Sequence, residues 1–312
     1  MQHYHSLQDL QLNNAWLTIG SFDGVHLGHQ KILEALTAGA AQANAPAVAL
    51  TFYPHPSIVL RGPQSGYYLT TPEDRARLLG EMGVGIVVTH PFSVAVARIP
   101  VQKFLRSLKE HLGFTQLWVG HDFAMGRHRE GDVARLEYYA NQFDYQLHQI
   151  PPYELEGVLV SSTQIRKLLG QGDVQAAEKL LGHKYTLGGI VLKGDGRGRT
   201  IGIPTANLSL DIEFAIPKTG VYVSLAHING NSFPAITNVG VRPTFDARRQ
   251  KPLVETHLLD FNADIYGKEM KLSFYRRVRD ELRFDDVDAL VTQIHKDIEY
   301  ARAYFEEEQG VR

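Results

Sequence analysis

The chain has 312 residues, 44% hydrophobic and 21% charged, which excludes a disordered chain and suits two domains better than one core. It has no cysteine, excluding disulfides, thiolate metal sites and thiol nucleophiles, and its net charge of -2 argues against a broad nucleic-acid face and for small anionic substrates. Residues 1–14 lack the order of a signal peptide, and no apolar run reaches the roughly 18 residues of a membrane helix, so a cytoplasmic protein without a membrane partner is expected.

In chain order, short apolar runs at Trp16–Gly20, Ala47–Phe52, Gly85–Thr89, Gln116–Gly120 and Tyr145–Ile150 read as strands alternating with helical patterns. Ile32, Leu33, Leu36 and Ala40 mark one helix. Thr71-Pro72-Glu73-Asp74 reads as an N-cap, a first-turn proline and acids complementing the helix dipole, with Leu78, Leu79 and Met82 as the buried stripe. Phe104, Leu105, Leu108 and Leu112 mark a third. Five parallel strands with crossover helices make a doubly wound sheet, whose ligands bind beyond the strand carboxyl ends. Gly20 and Gly120 lie at such ends.

Beyond Gly182 the pattern becomes β-rich. Runs at Thr186–Lys193, Val221–Ile228, Ser232–Val239, Val254–Leu259 and Met270–Tyr275 predict an antiparallel barrel or sandwich. Asn229-Gly230 is a two-residue hairpin turn. A helix from about Asp286 to Glu308 closes the chain, with Val287, Leu290, Val291, Ile294, Ile298 and Ala301 on its apolar face. The expected domains are 1–182 and 183–312.

Two distant motifs bear on chemistry in the first domain. Gly20-Ser21-Phe22-Asp23-Gly24-Val25-His26-Leu27-Gly28-His29 follows the first strand. A strand feeding a glycine turn and a helix offers unpaired N–H groups and partial positive charge to phosphates. His26 and His29, three residues apart, can both face one ligand and donate hydrogen bonds to a leaving pyrophosphate. In isolation the pair reads equally well as helix caps. Ser161-Ser162-Thr163-Gln164-Ile165-Arg166 opens another helix: Ser162 or Thr163 is an N-cap or a phosphate ligand, and Arg166 can reach a phosphate with a planar fork of donors. Together the motifs favour attack on a nucleoside triphosphate.

The second domain carries Gly194-Asp195-Gly196-Arg197-Gly198-Arg199-Thr200-Ile201-Gly202-Ile203-Pro204-Thr205-Ala206-Asn207. Gly194, Gly196, Arg197, Gly198 and Gly202 fit a phosphate-holding loop, although a hairpin turn explains many such stretches. Thr205 and Asn207 offer oxygens suited to Mg²⁺, or cap a turn.

The strand–GSFDGVHLGH–helix unit with SSTQIR resembles the HxGH-type nucleotidyltransferases. With Thr51-Phe52-Tyr53-Pro54-His55-Pro56 and Val119-Gly120-His121-Asp122-Phe123-Ala124-Met125-Gly126 it is similar to the prokaryotic FAD synthetase module, a Rossmann-like domain. Ser21 stands where asparagine is common, and Met125 where phenylalanine is frequent. The resemblance implies Gly20, Phe22, Asp23, Gly28, Ser162 and Thr163 at ATP, His26, His29 and Arg166 in catalysis, and Asp122 and Phe123 at the flavin. The PTAN block at 204–207, Asn238-Val239-Gly240-Val241-Arg242-Pro243-Thr244-Phe245 and Val254-Glu255-Thr256-His257 resemble riboflavin kinases. That resemblance implies a small barrel with a C-terminal helix, Thr205 and Asn207 at ATP·Mg²⁺, Glu255 as catalytic base, and Arg279 and Phe284 at the flavin. Glu255 alone reads as an exposed strand carboxylate, and Arg279 as part of a surface ion-pair network.

The order of the two resemblances is that of bifunctional riboflavin kinase/FMN adenylyltransferases: riboflavin and ATP give FMN, then FMN and ATP give FAD and pyrophosphate. The competing readings are an enzyme with one active module, and a non-enzymatic flavin sensor.

Overall fold

Valine, isoleucine and alanine runs buried on both faces form the central strands of a parallel sheet. The computed structural model describes residues 1–64, 66–194, 198, 201–210, 214–242 and 251–310. They pack as two compact units, one of Met1–Gln64 with Thr70–Ser162 and one of Ser65–Leu69 with Thr163–Arg312.

The first unit holds six parallel strands: β1 (Gln2–Tyr4), β2 (Trp16–Ile19), β3 (Ala47–Tyr53), β4 (Ile86–Pro91), β5 (Gln116–Gly120) and, after the two-residue strands β6 (Ala124–Met125) and β7 (Gly131–Asp132), β8 (Gln146–Ile150). Their order is β1-β4-β3-β2-β5-β8. The sixth strand, β1, pairs with β4 at the sheet edge and is only three residues long, too short for any periodic signal. From β2 the chain runs outward through β3 and β4, then returns to β5 on the other side of β2. The order therefore reverses between β2 and β5, and the carboxyl ends where such sheets bind ligands carry Gly20 and Gly120.

Helices α1 (Leu27–Gln42), α2 (Pro56–Arg61), α3 (Pro72–Glu81), α4 (Val94–Ala97), α5 (Val101–Leu112) and α6 (Val133–Phe143) connect these strands. The side chain of Thr71 caps α3 by accepting the Asp74 N–H, as its sequence predicts. One core cluster includes Leu17, Leu50, Leu105, Leu108 and Leu117, all 0% exposed.

After the short hairpin of β9 (Glu154–Leu155) and β10 (Val158–Leu159), α7 (Ser162–Gln171) and α8 (Val174–Leu181) lead into the second unit's barrel. Its strands are β11 (Thr186–Leu192), β12 (Ala206–Ser209), β13 (Gly220–Ile228), β14 (Asn231–Arg242), β15 (Lys251–Leu258) and β16 (Glu269–Arg279). They close in the order β11-β12-β15-β14-β13-β16, which decides between barrel and sandwich. The extra strand, β12, comes from the PTAN block, whose mixed polarity hides it. Asn229 (φ 50°) and Gly230 (φ 80°) make the hairpin turn between β13 and β14. The final helix, α9 (Val287–Gly310), buries Ile298, Ala301 and Phe305 against Val221, Val223 and Ile236, while Val287 stays exposed.

The packing division at Ser162/Thr163 differs from the expected 182/183 because α7 and α8 pack within the second unit. The Lys218 N–H donates to the Leu169 carbonyl at 2.9 Å, and a Cβ on Gly172 would meet Arg277 Cδ at 2.6 Å. Among the described residues no helix is long and apolar enough to cross a membrane.

Candidate functional sites

In the first unit the chain leaves β2 at Gly20, whose N–H donates to the Leu50 carbonyl at 3.1 Å. The next residues turn sharply, with Phe22 (φ 48°), Gly24 (φ 83°) and Val25 (φ 41°) all left-handed. Only glycine adopts that region freely; Phe22 and Val25 each cost about 1–3 kcal/mol and persist where neighbours over-determine them. Gly20 makes room, since a Cβ there would lie 3.0 Å from the Phe22 ring.

The neighbours are a buried polar network. Asp23, 1% exposed, accepts from the Thr70 N–H (3.1 Å) and hydroxyl (3.2 Å). Arg75, 0% exposed, has Nη2 3.8 Å from the Asp23 carboxylate, and its Nη1 donates to Thr51 Oγ1 (3.1 Å) and the Phe52 carbonyl (3.2 Å). The Thr51 hydroxyl donates to the Ser21 carbonyl at 2.9 Å, and the Gly24 N–H to Thr70 Oγ1 at 3.2 Å. Sequence reading singled out Asp23, carried Thr51 inside a motif without giving it a role, and passed over Thr70 and Arg75. No local spacing links three residues brought together by different elements.

His26 caps α1, its Nδ1 accepting the His29 N–H at 3.3 Å. The two imidazoles stack with centroids 3.6 Å apart and planes 16° from parallel. A Cβ on Gly28 would touch the His26 ring at 3.2 Å, so glycine lets the ring lie over the helix start. Phe22 meets His29 edge-on at 5.1 Å. Buried His29 Nδ1 has no hydrogen-bond partner among the described residues. Burial first, then the neighbouring His26 and Arg75, hold the His29 pKa well below its usual value, so the ring is neutral near pH 7. Capping and ligand-facing readings of the pair are compatible.

Ser162 Oγ donates to the Asp23 carbonyl at 2.9 Å. The start of the second motif thus sits on the loop of the first, 139 residues away. Thr163 is exposed, and Thr163 and Arg166 belong to the second unit. There Arg166 stacks on the Tyr67 ring, 4.0 Å from its centroid, and Nε donates to the Tyr67 carbonyl. After β5, Asp122 is exposed and Phe123 packs its ring partly against the core.

In the second unit a cavity of about 940 Å³ brings Gly194, Gly198, Thr205, Asn207, Glu255, Arg279 and Phe284 together. Gly202 is exposed and absent from its lining; Gly196 and Arg197 lie outside the described residues. Antiparallel register puts Glu255 opposite Asn207 on β12 and opposite Asn238 on β14. Alternation along the strands sends Thr256 and Thr237, both 0% exposed, to the barrel interior, where their hydroxyls bond at 2.9 Å. Glu255, Asn207 and Asn238 therefore share the outer face, which forms the cavity wall. A Cβ on Gly194 would overlap the Asn207 amide, so only glycine lets the chain pass that close to that side chain.

Arg279 is gripped from another side. Its Nε and Nη2 bond the Asp297 carboxylate of α9, the latter at 2.6 Å, and Nη1 donates to the Asp280 carbonyl at 3.0 Å. The ion pair ties β16 to α9, the structural role open to it from sequence. His257 donates to the Pro204 carbonyl at 2.8 Å and also lines the cavity with Asn238 and Asp297. Sequence reading left these three without a role. Asn238 and His257 stood inside quoted motifs, and the strand register was the available signal.

Comparisons with known proteins follow this division. A FAD synthetase family model matches residues 8–164, and a riboflavin kinase model residues 181–305. The chain is 35% identical over 293 residues to a protein of Listeria monocytogenes named bifunctional riboflavin kinase/FMN adenylyltransferase, covering 94% of this chain and 93% of that one. It is 34% identical over 307 residues to the Bacillus subtilis protein of the same name (97% and 96% covered). The same name belongs to an Escherichia coli K12 protein, 35% identical over 303 residues with 96% of each covered. A crystal structure titled macrolide-efflux protein, from Streptococcus pneumoniae, superposes with a TM-score of 0.86 at 32% identity, covering 96% of this chain and 98% of that one.

Proposed function

The chain belongs to the bifunctional riboflavin kinase/FMN adenylyltransferase family, and from that premise we propose how its residues divide the work. It is a transferase that phosphorylates riboflavin with ATP to FMN and adenylylates FMN with a second ATP to FAD. We assign adenylylation to residues 1–182 and phosphorylation to residues 183–312. The observation supporting this is that the FAD synthetase match, 8–164, ends before that boundary and the riboflavin kinase match, 181–305, begins two residues short of 183.

In the kinase reaction the nucleophile is a neutral ribityl hydroxyl whose pKa lies far above 7. Glu255 takes its proton as the oxygen attacks the γ-phosphorus and ADP leaves, a role typically worth about 10²–10⁴-fold. Gly194 and Gly198 hold the triphosphate, with Gly196, Arg197 and Gly202 assigned to the same loop on the family resemblance. Phe284 packs on the flavin, and Arg279 fixes that wall through Asp297. Thr205 and Asn207 offer hard oxygens on the cavity lining, and the close approach of Gly194 to the Asn207 amide fits a cradle for Mg²⁺. When bound, Mg²⁺ neutralises charge on the phosphates.

In adenylylation the FMN phosphate is already an anion and attacks the α-phosphorus without a base. The loop 20–28 and the N–H groups of α1 align the triphosphate, and His26 and His29 donate hydrogen bonds to the departing pyrophosphate. Approach of the polyanion raises the pKa of neutral His29. Asp23 shapes the loop and Ser162 braces it, with Asp122 and Phe123 at the flavin; Thr163 and Arg166 are assigned to ATP on the family resemblance alone. Riboflavin, FMN and ATP are its partners, and we expect it in the cytoplasm without a nucleic-acid partner.

Chromatography of the flavins formed by the purified chain from riboflavin, ATP and Mg²⁺ tests the reading. FMN followed by FAD is expected, with FMN formation lost in chelator and regained with Mg²⁺. A single product, or bound but unchanged riboflavin, would favour a one-activity enzyme or a sensor.

A further inference from the structure

Three features of the first unit have no part in the chemistry above. A buried arginine lies behind the phosphate loop. The loop holds two non-glycine residues in left-handed conformations. Two threonine hydroxyls stand between the arginine and the loop.

We propose that Arg75 is a positioning residue for adenylylation, acting through Thr51 and Thr70 to hold residues 21–25 in their phosphate-receiving shape. The inference rests on that loop serving FMN adenylylation. Arg75 comes from α3, Thr51 from β3 and Thr70 from the segment before α3. The guanidinium spans both hydroxyls: Nη1 reaches Thr51 Oγ1 at 3.1 Å and Nε reaches Thr70 Oγ1 at 3.5 Å. Each threonine passes the constraint to the loop. Thr51 donates to the Ser21 carbonyl, and Thr70 engages the Asp23 carboxylate and the Gly24 N–H. Residues on both sides of Phe22 are therefore pinned, and one more bond, Val25 N–H to the Phe22 carbonyl at 3.0 Å, closes the turn.

Burial gives the arrangement its force. Arg75, Asp23 and Thr51 are each 1% exposed or less, so their polar groups have no water to fall back on. A buried cation facing one carboxylate at 3.8 Å is a costly way to fill a core. A planar fork of five donors spans several fixed acceptors at once, and a lysine presents only one point of attachment. Arg75 lies behind the loop and also helps hold His29 neutral. A loss of packing in the first unit would weaken FMN binding and lower Tm along with the rate, whereas loss of loop shape lowers kcat for FAD formation and leaves both in place.

Steady-state kinetics of both reactions on the full-length Thr51→Val, Arg75→Lys and Arg75→Met variants tests this, with wild-type FAD formation measured first. Thr51→Val keeps the side-chain shape and removes only the link from Arg75 to Ser21. It should lower kcat for FAD formation at least tenfold, keep KM for FMN within about threefold, and leave riboflavin phosphorylation unchanged. Arg75→Lys should restore part of the rate lost in Arg75→Met, and the Thr51→Val/Arg75→Met double variant should be no slower than Arg75→Met. Unchanged kcat in Thr51→Val, equal losses in both reactions, or multiplying losses in the double variant would overturn the proposal. If Arg75→Met fails to fold, Thr51→Val and Arg75→Lys still decide it. A wild-type chain that makes no FAD would instead sink the assignment of the loop itself.

Discussion

His26 and His29 stack face to face at 3.6 Å, with Nδ1 of the first capping the N–H of the second. One residue thus fixes both the start of α1 and the plane of its partner's ring. If these rings serve pyrophosphate departure, His29→Ala abolishes FAD formation while FMN accumulates from riboflavin. Flavin chromatography reads both at once; loss of both products would mean the reactions do not reside in separate modules.

The same histidine has a pH signature. Its pKa is lowered in the folded chain, so the unfolded state binds more protons once pH falls below the ordinary histidine value near 6.5. Stability from the neutral ring is complete above that pH and declines below it, toward the lowered folded value. His3, His90, His148 and His227 shift the same way, so the test is a difference. Between pH 7.5 and 5, Tm should fall less in His29→Asn than in the wild type. Parallel curves would contradict a buried neutral His29.

Glu255→Gln keeps the shape of a side chain lying between Asn207 and Asn238 and removes its basicity. Riboflavin phosphorylation should slow at least about tenfold with FMN adenylylation near normal. An unchanged kinase rate removes Glu255 from proton transfer.

Much of this architecture was legible in the chain. The runs at 16–20, 47–52 and 116–120 are apolar on both faces, the mark of central parallel strands, and became β2, β3 and β5 almost residue for residue. β1 and β12 escaped because three residues carry no period and Pro204-Thr205-Ala206-Asn207 reads as a turn. α8 escaped as well. In the sites, His26, Ser162, Asn207 and Glu255 announce themselves through compact motifs. Arg75 and Asp297 do not, since each gains its importance from partners on other elements that only the folded chain brings near.

Gly194→Ala tests the close approach to Asn207. The new methyl must displace the amide, a side-chain end that can swing away, so stability should change by less than about 1 kcal/mol while kinase activity falls at least tenfold. A matched loss of Tm and both activities would point to a packing fault instead.

The Arg279–Asp297 pair is bidentate and mostly buried, with side-chain exposures of 18% and 4%. Asp297→Ala leaves the guanidinium unpaired and should cost about 2–3 kcal/mol, less than a fully buried pair because Arg279 keeps some water. Urea unfolding measures it. Unchanged stability with a raised KM for riboflavin would mean that Arg279 serves the flavin directly and not the wall.

The most direct test of the central claim counts leaving groups. For every FAD made from riboflavin by the purified chain, one ADP and one pyrophosphate should appear, with ADP released first alongside FMN. Pyrophosphate without ADP, ADP without pyrophosphate, or no ATP consumed would contradict two successive transfers on one polypeptide.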